Sequence, residues 1–128
     1  MADYTIKNLR EVEDMAAAQG LGEVQEARFA HGELDAEQTG ISLQKVKPGK
    51  RHAIAHRHKE AEEVYVVLSG SGRVKLDDQV KDVRTLDAIR VGPSVTRSFE
   101  AGDEGLELLA VGPRAAGDAE IVEDFSWD

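Results

Sequence analysis

The chain has 128 residues, enough for one domain and too few for two of ordinary size. Sixteen Lys and Arg stand against 25 Asp and Glu, a formal charge of −9, which argues against the basic footprint that a nucleic-acid or anionic-membrane surface needs. There is no cysteine, which excludes disulfides and thiolate chemistry, and 41% apolar with 32% charged residues fits a globular chain. No apolar run approaches the roughly 20 residues of a membrane helix. Met1-Ala2-Asp3-Tyr4 opens with an acid and without a signal-peptide core, so a cytoplasmic protein is expected.

One short helix is expected first. Asn8 can cap it, Glu11 can complete a capping box, and Leu9, Val12, Met15 and Ala16 share a face. It should end before Gly20-Leu21-Gly22. The pattern then turns extended. Candidate strands are 24–30, 40–47, 53–57, 63–69, 72–76, 79–84, 88–91, 96–101 and 105–111. Gly70-Ser71-Gly72 reads as a hairpin turn, and Asp77-Asp78, Gly92-Pro93-Ser94 and Gly102-Asp103-Glu104-Gly105 as further breaks. Pro48, Pro93 and Pro113 each adjoin a glycine, as turns do. Many short strands between such turns indicate an all-β sandwich or barrel. Val64 to Leu68 is apolar on both faces and calls for cover on both sides. The whole chain, 1–128, reads as one domain with its core at about 24–112.

Three of the four histidines, His52, His56 and His58, fall within seven positions. On a strand, positions i and i+2 share a face, so His56 and His58 can reach one metal ion while Arg57 points away. A connection through Lys59-Glu60-Ala61-Glu62 can bring Glu63 beside both rings. Two imidazoles and a carboxylate, with positions left open, suit Fe, Mn, Ni, Zn or Co as divalent ions. An isolated His-x-His pair on a strand is more often a surface pair, so the surrounding glycines and acids matter.

Those surroundings resemble a known family. Pro48-Gly49, His56-x-His58, Glu63 after four intervening residues and Gly70 after six more look like the first motif of the cupin superfamily. The segment from Asp87 through Gly92-Pro93-Ser94 to Phe99 resembles a degenerate second motif, and Glu107 to Val111 the strand that follows it. The resemblance covers about 44–112. It implies an all-β double-stranded β-helix, the jelly-roll or cupin barrel, with a short N-terminal helix here, a pocket inside, and a homodimer. Carried over residue by residue, it implies His56, His58 and Glu63 as metal ligands. The fourth ligand of the family is usually a histidine of the second motif; here that position holds Arg97.

Arginine is always charged and accepts nothing, so it cannot ligate a cation in the ordinary way. About 5 Å from a divalent ion, at an effective dielectric of about 20, its charge would cost roughly 6–7 kcal/mol, about half of it offset by Glu63. Three readings follow. Arg97 pairs with Glu63 in a metal-free pocket; it stands aside from a metal on His56, His58 and Glu63 and clamps an anionic group of the substrate; or it faces solvent. Tyr65 shares the parity of Glu63 and is a second candidate for substrate contact, weighed against a buried phenol with one partner. His52 can line the pocket mouth or face solvent, and His31 has no assigned role. Gln44 and Arg90 depend on register, and Phe99 reads as packing.

No phosphate-binding loop and no Gly-x-Ser-x-Gly elbow is present. The acidic end, 119–128, carries Phe125 and the only tryptophan, Trp127, which would cover the barrel or dock on a second subunit. Two functions are expected to compete: a metal-dependent oxygenase, isomerase or lyase acting on a small anionic molecule, and a metal-free, non-catalytic small-molecule-binding or regulatory module. A partner-binding barrel with a vestigial pocket is a third. Neither nucleic acid nor membrane is expected as partner, and fold alone does not choose among these functions.

Overall fold

A computed structural model describes residues 3–127. Two short helical turns stand where one helix was expected. Leu9–Glu11 is a 3-10 turn capped by Asn8, whose side chain accepts the N–H of Arg10; helix α1 spans Met15–Ala18 and is capped by Asp14. Between them the chain is drawn toward the sheet. Asp14 makes a β-bridge with Arg28, and its carboxylate accepts the N–H groups of Ala16 and Ala27 at 3.0 and 2.9 Å. Tertiary pairing thus outcompetes the weak preference for a continuous helix. The expected face survives in part, with Val12 and Ala16 buried.

Eight strands follow: β1 (Gln25–Phe29), β2 (Thr39–Val46), β3 (Ala55–His58), β4 (Glu63–Leu76), β5 (Gln79–Arg84), β6 (Ala88–Val91), β7 (Arg97–Pro113) and β8 (Ala119–Val122). They form one curled antiparallel sheet in which β1-β2-β7-β3-β8 are successive neighbours and β4 pairs with β5, β6 and β7. Gly70-Ser71-Gly72 is not a hairpin turn. β4 runs through it, as β7 runs through 102–105, and the two strands pair along both halves with register shifts at Val67/Ser69 and Gly70/Gly72. A Cβ on Gly70 would fall on the carbonyl oxygen of Gly105, and one on Gly72 on that of Glu100. Here glycine lets two backbones pass closely through a bulge instead of reversing the chain.

The C-terminal segment contributes a strand that was not expected, β8, which pairs with β3 from Ala55↔Val122 to His58↔Ala119. Beyond it Trp127 lies 5.0 Å from the Arg51 guanidinium and 5.7 Å from that of Arg73. Phe125 lies under the Lys75 ammonium, which donates to the Ser126 carbonyl. The tail therefore covers the barrel of its own chain.

One end of the barrel is filled. Val46 of β2, Tyr65 and Val67 of β4, Phe99 and Leu108 of β7 all point inward and are at most 1% exposed. Toward the other end the same faces carry Gly40 and Ser42, Glu63, Ala110 and Gly112, and the interior there is hollow. Among the described residues no helix is long and apolar enough to cross a membrane.

Candidate metal centre

β3 is four residues long, and its parity places His56 and His58 on the inner face while Arg57 is exposed, its guanidinium 3.9 Å from Glu120. Glu63, the first residue of β4, meets both rings. Its Oε1 lies 3.1 Å from His58 Nε2 and 3.4 Å from His56 Nε2, and the ligand atoms of all three residues lie within 4.8 Å of one another. The rings stand nearly perpendicular, with centroids 5.2 Å apart. Ligand atoms of a tetrahedral or octahedral ion at about 2.0–2.2 Å stand roughly 3.0–3.5 Å apart, so this donor set fits a divalent cation.

Asp118, to which the sequence assigned nothing, anchors the arrangement. It precedes β8, is 8% exposed, and accepts the N–H groups of Glu60 and Ala61, which fixes the loop between β3 and β4. Its Oδ2 also lies 3.1 Å from His58 Nδ1. Those backbone donors, Ala61 first, hold its carboxyl below the usual range despite burial. With Nδ1–H bound to Asp118, the Nε2 lone pair of His58 faces the shared point with Glu63, a pairing that commonly orients metal-binding histidines. Only the acidic residue after Gly117, in a turn, hints at this role in the sequence, and a separation of 60 positions conceals its partner.

Beneath Glu63 stand Tyr65 and Arg97, each 1% exposed and neither lining the hollow end. The Tyr65 hydroxyl donates to Glu63 Oε1 at 2.8 Å. Burial and the nearby carboxylate push the phenol well above its ordinary pKa, so it stays a proton donor. Arg97 pairs in register with His56, donates Nη2–H to the Gly92 carbonyl at 3.2 Å, and holds Nη1 4.0 Å from Glu63 Oε1. Its Nε and Nη1 are buried without a hydrogen-bond partner. The solvent-facing reading of Arg97 therefore fails: β7 parity turns it inward. Burial alone would raise the Glu63 carboxyl, but hydrogen bonds from His56 and Tyr65 and electrostatic attraction to His58 and His56 outweigh it, bringing the pKa down to about 2.

The remaining candidates divide. His52 lines the hollow end, with its ring edge-on to Phe99, and its Nδ1 accepts the Phe99 N–H at 3.4 Å. Burial, helped by His56, lowers its pKa to about 4 and keeps it neutral. His31 and Gln44 also line the hollow, and Gln44 donates to Ser42 Oγ at 3.0 Å. Arg90 lies outside, paired with Glu62 at 3.1 Å. Phe99 packs in the core against Tyr65 as expected.

A family model described as the cupin domain matches residues 42–112, more than half of the chain. The chain belongs to the cupin family. The uncharacterized protein MJ1618 of Methanocaldococcus jannaschii is 30% identical over 81 residues, which are 61% of this chain and 65% of that protein's length. The polyketide cyclase RemF of Streptomyces resistomycificus matches with a TM-score of 0.75 at 20% identity, over 97% of this cupin and 88% of its own chain. A variant of the oxalate decarboxylase OxdC of Bacillus subtilis matches with a TM-score of 0.72 at 25% identity, over 94% of this cupin but 34% of its own chain. The fold is thus the expected jelly-roll barrel, and the His-His-Glu group lies at the hollow end of it.

Proposed function

We propose that this cupin binds one divalent metal ion through His56, His58 and Glu63 and uses it on a small organic molecule that brings an anionic oxygen to the hollow end. The convergence of two imidazole nitrogens and one carboxylate oxygen within 4.8 Å at the base of a cavity carries the reading. The bound ion would supply Lewis acidity to a ligand oxygen, as an oxygenase, isomerase or lyase requires. Around it the protein's own groups have separate tasks. Asp118 orients His58, and the Tyr65 hydroxyl donates a hydrogen bond to Glu63 Oε1. Arg97 keeps a fixed positive charge beneath Glu63, where it attracts an anion without touching it, in a poorly screened interior. The identity of RemF as a cyclase and OxdC as a decarboxylase supports small-molecule chemistry on this fold.

A second reading has its own observation. His56, His58 and Tyr65 all lie within 3.4 Å of Glu63 Oε1, so this carboxylate oxygen has polar partners without an ion, as a metal-free binding module would require. Metal content of the purified protein separates the two. We expect about one equivalent of Fe, Mn, Ni, Zn or Co in the wild type and less than about one tenth of that in His56→Ala/His58→Ala. Equal content in the two proteins favours the metal-free module.

A further inference from the structure

The cavity at the hollow end selects by more than its metal-ligand group. Six strands contribute to it. Ala27, Gly40, Ala110, Gly112 and Ala119 form its walls with little or no side chain, which is why the space exists. It measures about 410 Å³, and at roughly 30 Å³ per water-sized group it accommodates about a dozen non-hydrogen atoms. Among the described residues no lysine or arginine lines it, and Glu63 is its one acid. At the mouth Met15, Phe29, Ile54 and Ile121 are 36%, 49%, 38% and 66% exposed, the apolar groups that a monomer in water would rather cover.

We infer that the ligand is an amphiphile: one carboxylate or enolate head directed at His56, His58 and Glu63, and an apolar body of aromatic or branched aliphatic carbon against Phe29, Ile54 and Ile121. This rests on the cavity being the ligand site proposed above, and it adds what the rest of the molecule must be. A phosphorylated sugar or a small dicarboxylate would bring a second charge to walls that hold no cation to receive it, and would leave the apolar mouth wet. An apolar body removes that surface from water and leaves a single charge for the site at the base.

Calorimetric titration of the protein with cinnamate, malonate and glycerol phosphate tests this, with metal content measured on the same samples. Cinnamate is expected to bind at least about tenfold more tightly than either polar anion. Phe29→Ser and Ile121→Ser, both at exposed positions where folding is checked by circular dichroism, are each expected to weaken cinnamate about fivefold or more and leave metal content unchanged. Equal or tighter binding of malonate or glycerol phosphate, binding of none of the three, or cinnamate binding indifferent to both substitutions overturns the inference. If sedimentation shows a dimer that these substitutions dissociate, and no cinnamate binds, the mouth is instead a contact between copies. Selective cinnamate binding by a protein that holds no metal removes the metal assignment and leaves the amphiphile in place; a metal-loaded protein that ignores cinnamate does the reverse.

Discussion

The filled and hollow ends of the barrel share strands and face, and differ only in what each strand puts inside. Along β2, Val46 is followed at two-residue steps by Gln44, Ser42 and Gly40; along β7, Leu106 and Leu108 give way to Ala110 and Gly112; along β4, Val67 and Tyr65 give way to Glu63. The pleat is continuous, so the change from core to cavity is a change of side-chain volume and polarity at fixed backbone geometry. The filled end supplies burial energy, and the hollow end spends side-chain volume on function. Tyr65 and Arg97 mark the boundary: both are as buried as the core, yet both direct polar atoms at Glu63.

The contrast is most sharply tested by two substitutions one step apart on β7. Leu108→Ala should cost about 3–5 kcal/mol in urea denaturation, because it opens a void among packed side chains. Ala110→Leu should cost less than about 1 kcal/mol, because it extends into space that is already free, and should instead abolish cinnamate binding. Similar stability losses for both would mean that the two ends are packed alike.

Acid titration separates the ends next. In the metal-free protein His52 has a folded pKa of about 4 against 6.5, so between those values the unfolded chain binds the extra proton. Its contribution is complete above about pH 6.5 and is lost as pH falls toward 4, at up to about 1.4 kcal/mol per pH unit. Glu63 is lowered to about 2, so its contribution is present above about pH 4.5 and is lost as pH falls through 2. Stability measured against pH should therefore show two successive losses. His52→Asn should flatten the first and Glu63→Gln the second; an unchanged curve in both variants would remove the hollow end as the acid-sensitive part. A modest effect is expected at the C-terminal tail. Trp127→Ala removes cation–π contacts with Arg51 and Arg73 and should cost about 1–2 kcal/mol in thermal denaturation, with metal content unchanged.

The strand pattern was legible because Gly, Pro and Asp punctuate runs of alternating residues: β5 and β6 fall at the predicted bounds. Where the reading failed, a distant partner had decided the matter. The helix expected from Asn8 is broken because Asp14 pairs with β1, and the expected turn at Gly70 is a bulge because β7 lies against it. β8 was missed because four residues of moderate strand character show no pattern until β3 offers an edge. At the candidate site, His56-x-His58 and Glu63 were readable from local parity and spacing, which depend on the geometry of a single strand and its nearest turn.

The sequence by itself determined that His56 and His58 share a face with Glu63 nearby, the net negative charge and the β class, because each follows from composition or from period-two geometry within a few residues. Only the tertiary structure decided that Asp118 meets His58 across 60 positions, that Arg97 is buried beneath Glu63, and that no lysine or arginine among the described residues lines the hollow end. Those features arise where strands far apart in the chain close into one barrel, and the register between them is set by the packing of the whole interior.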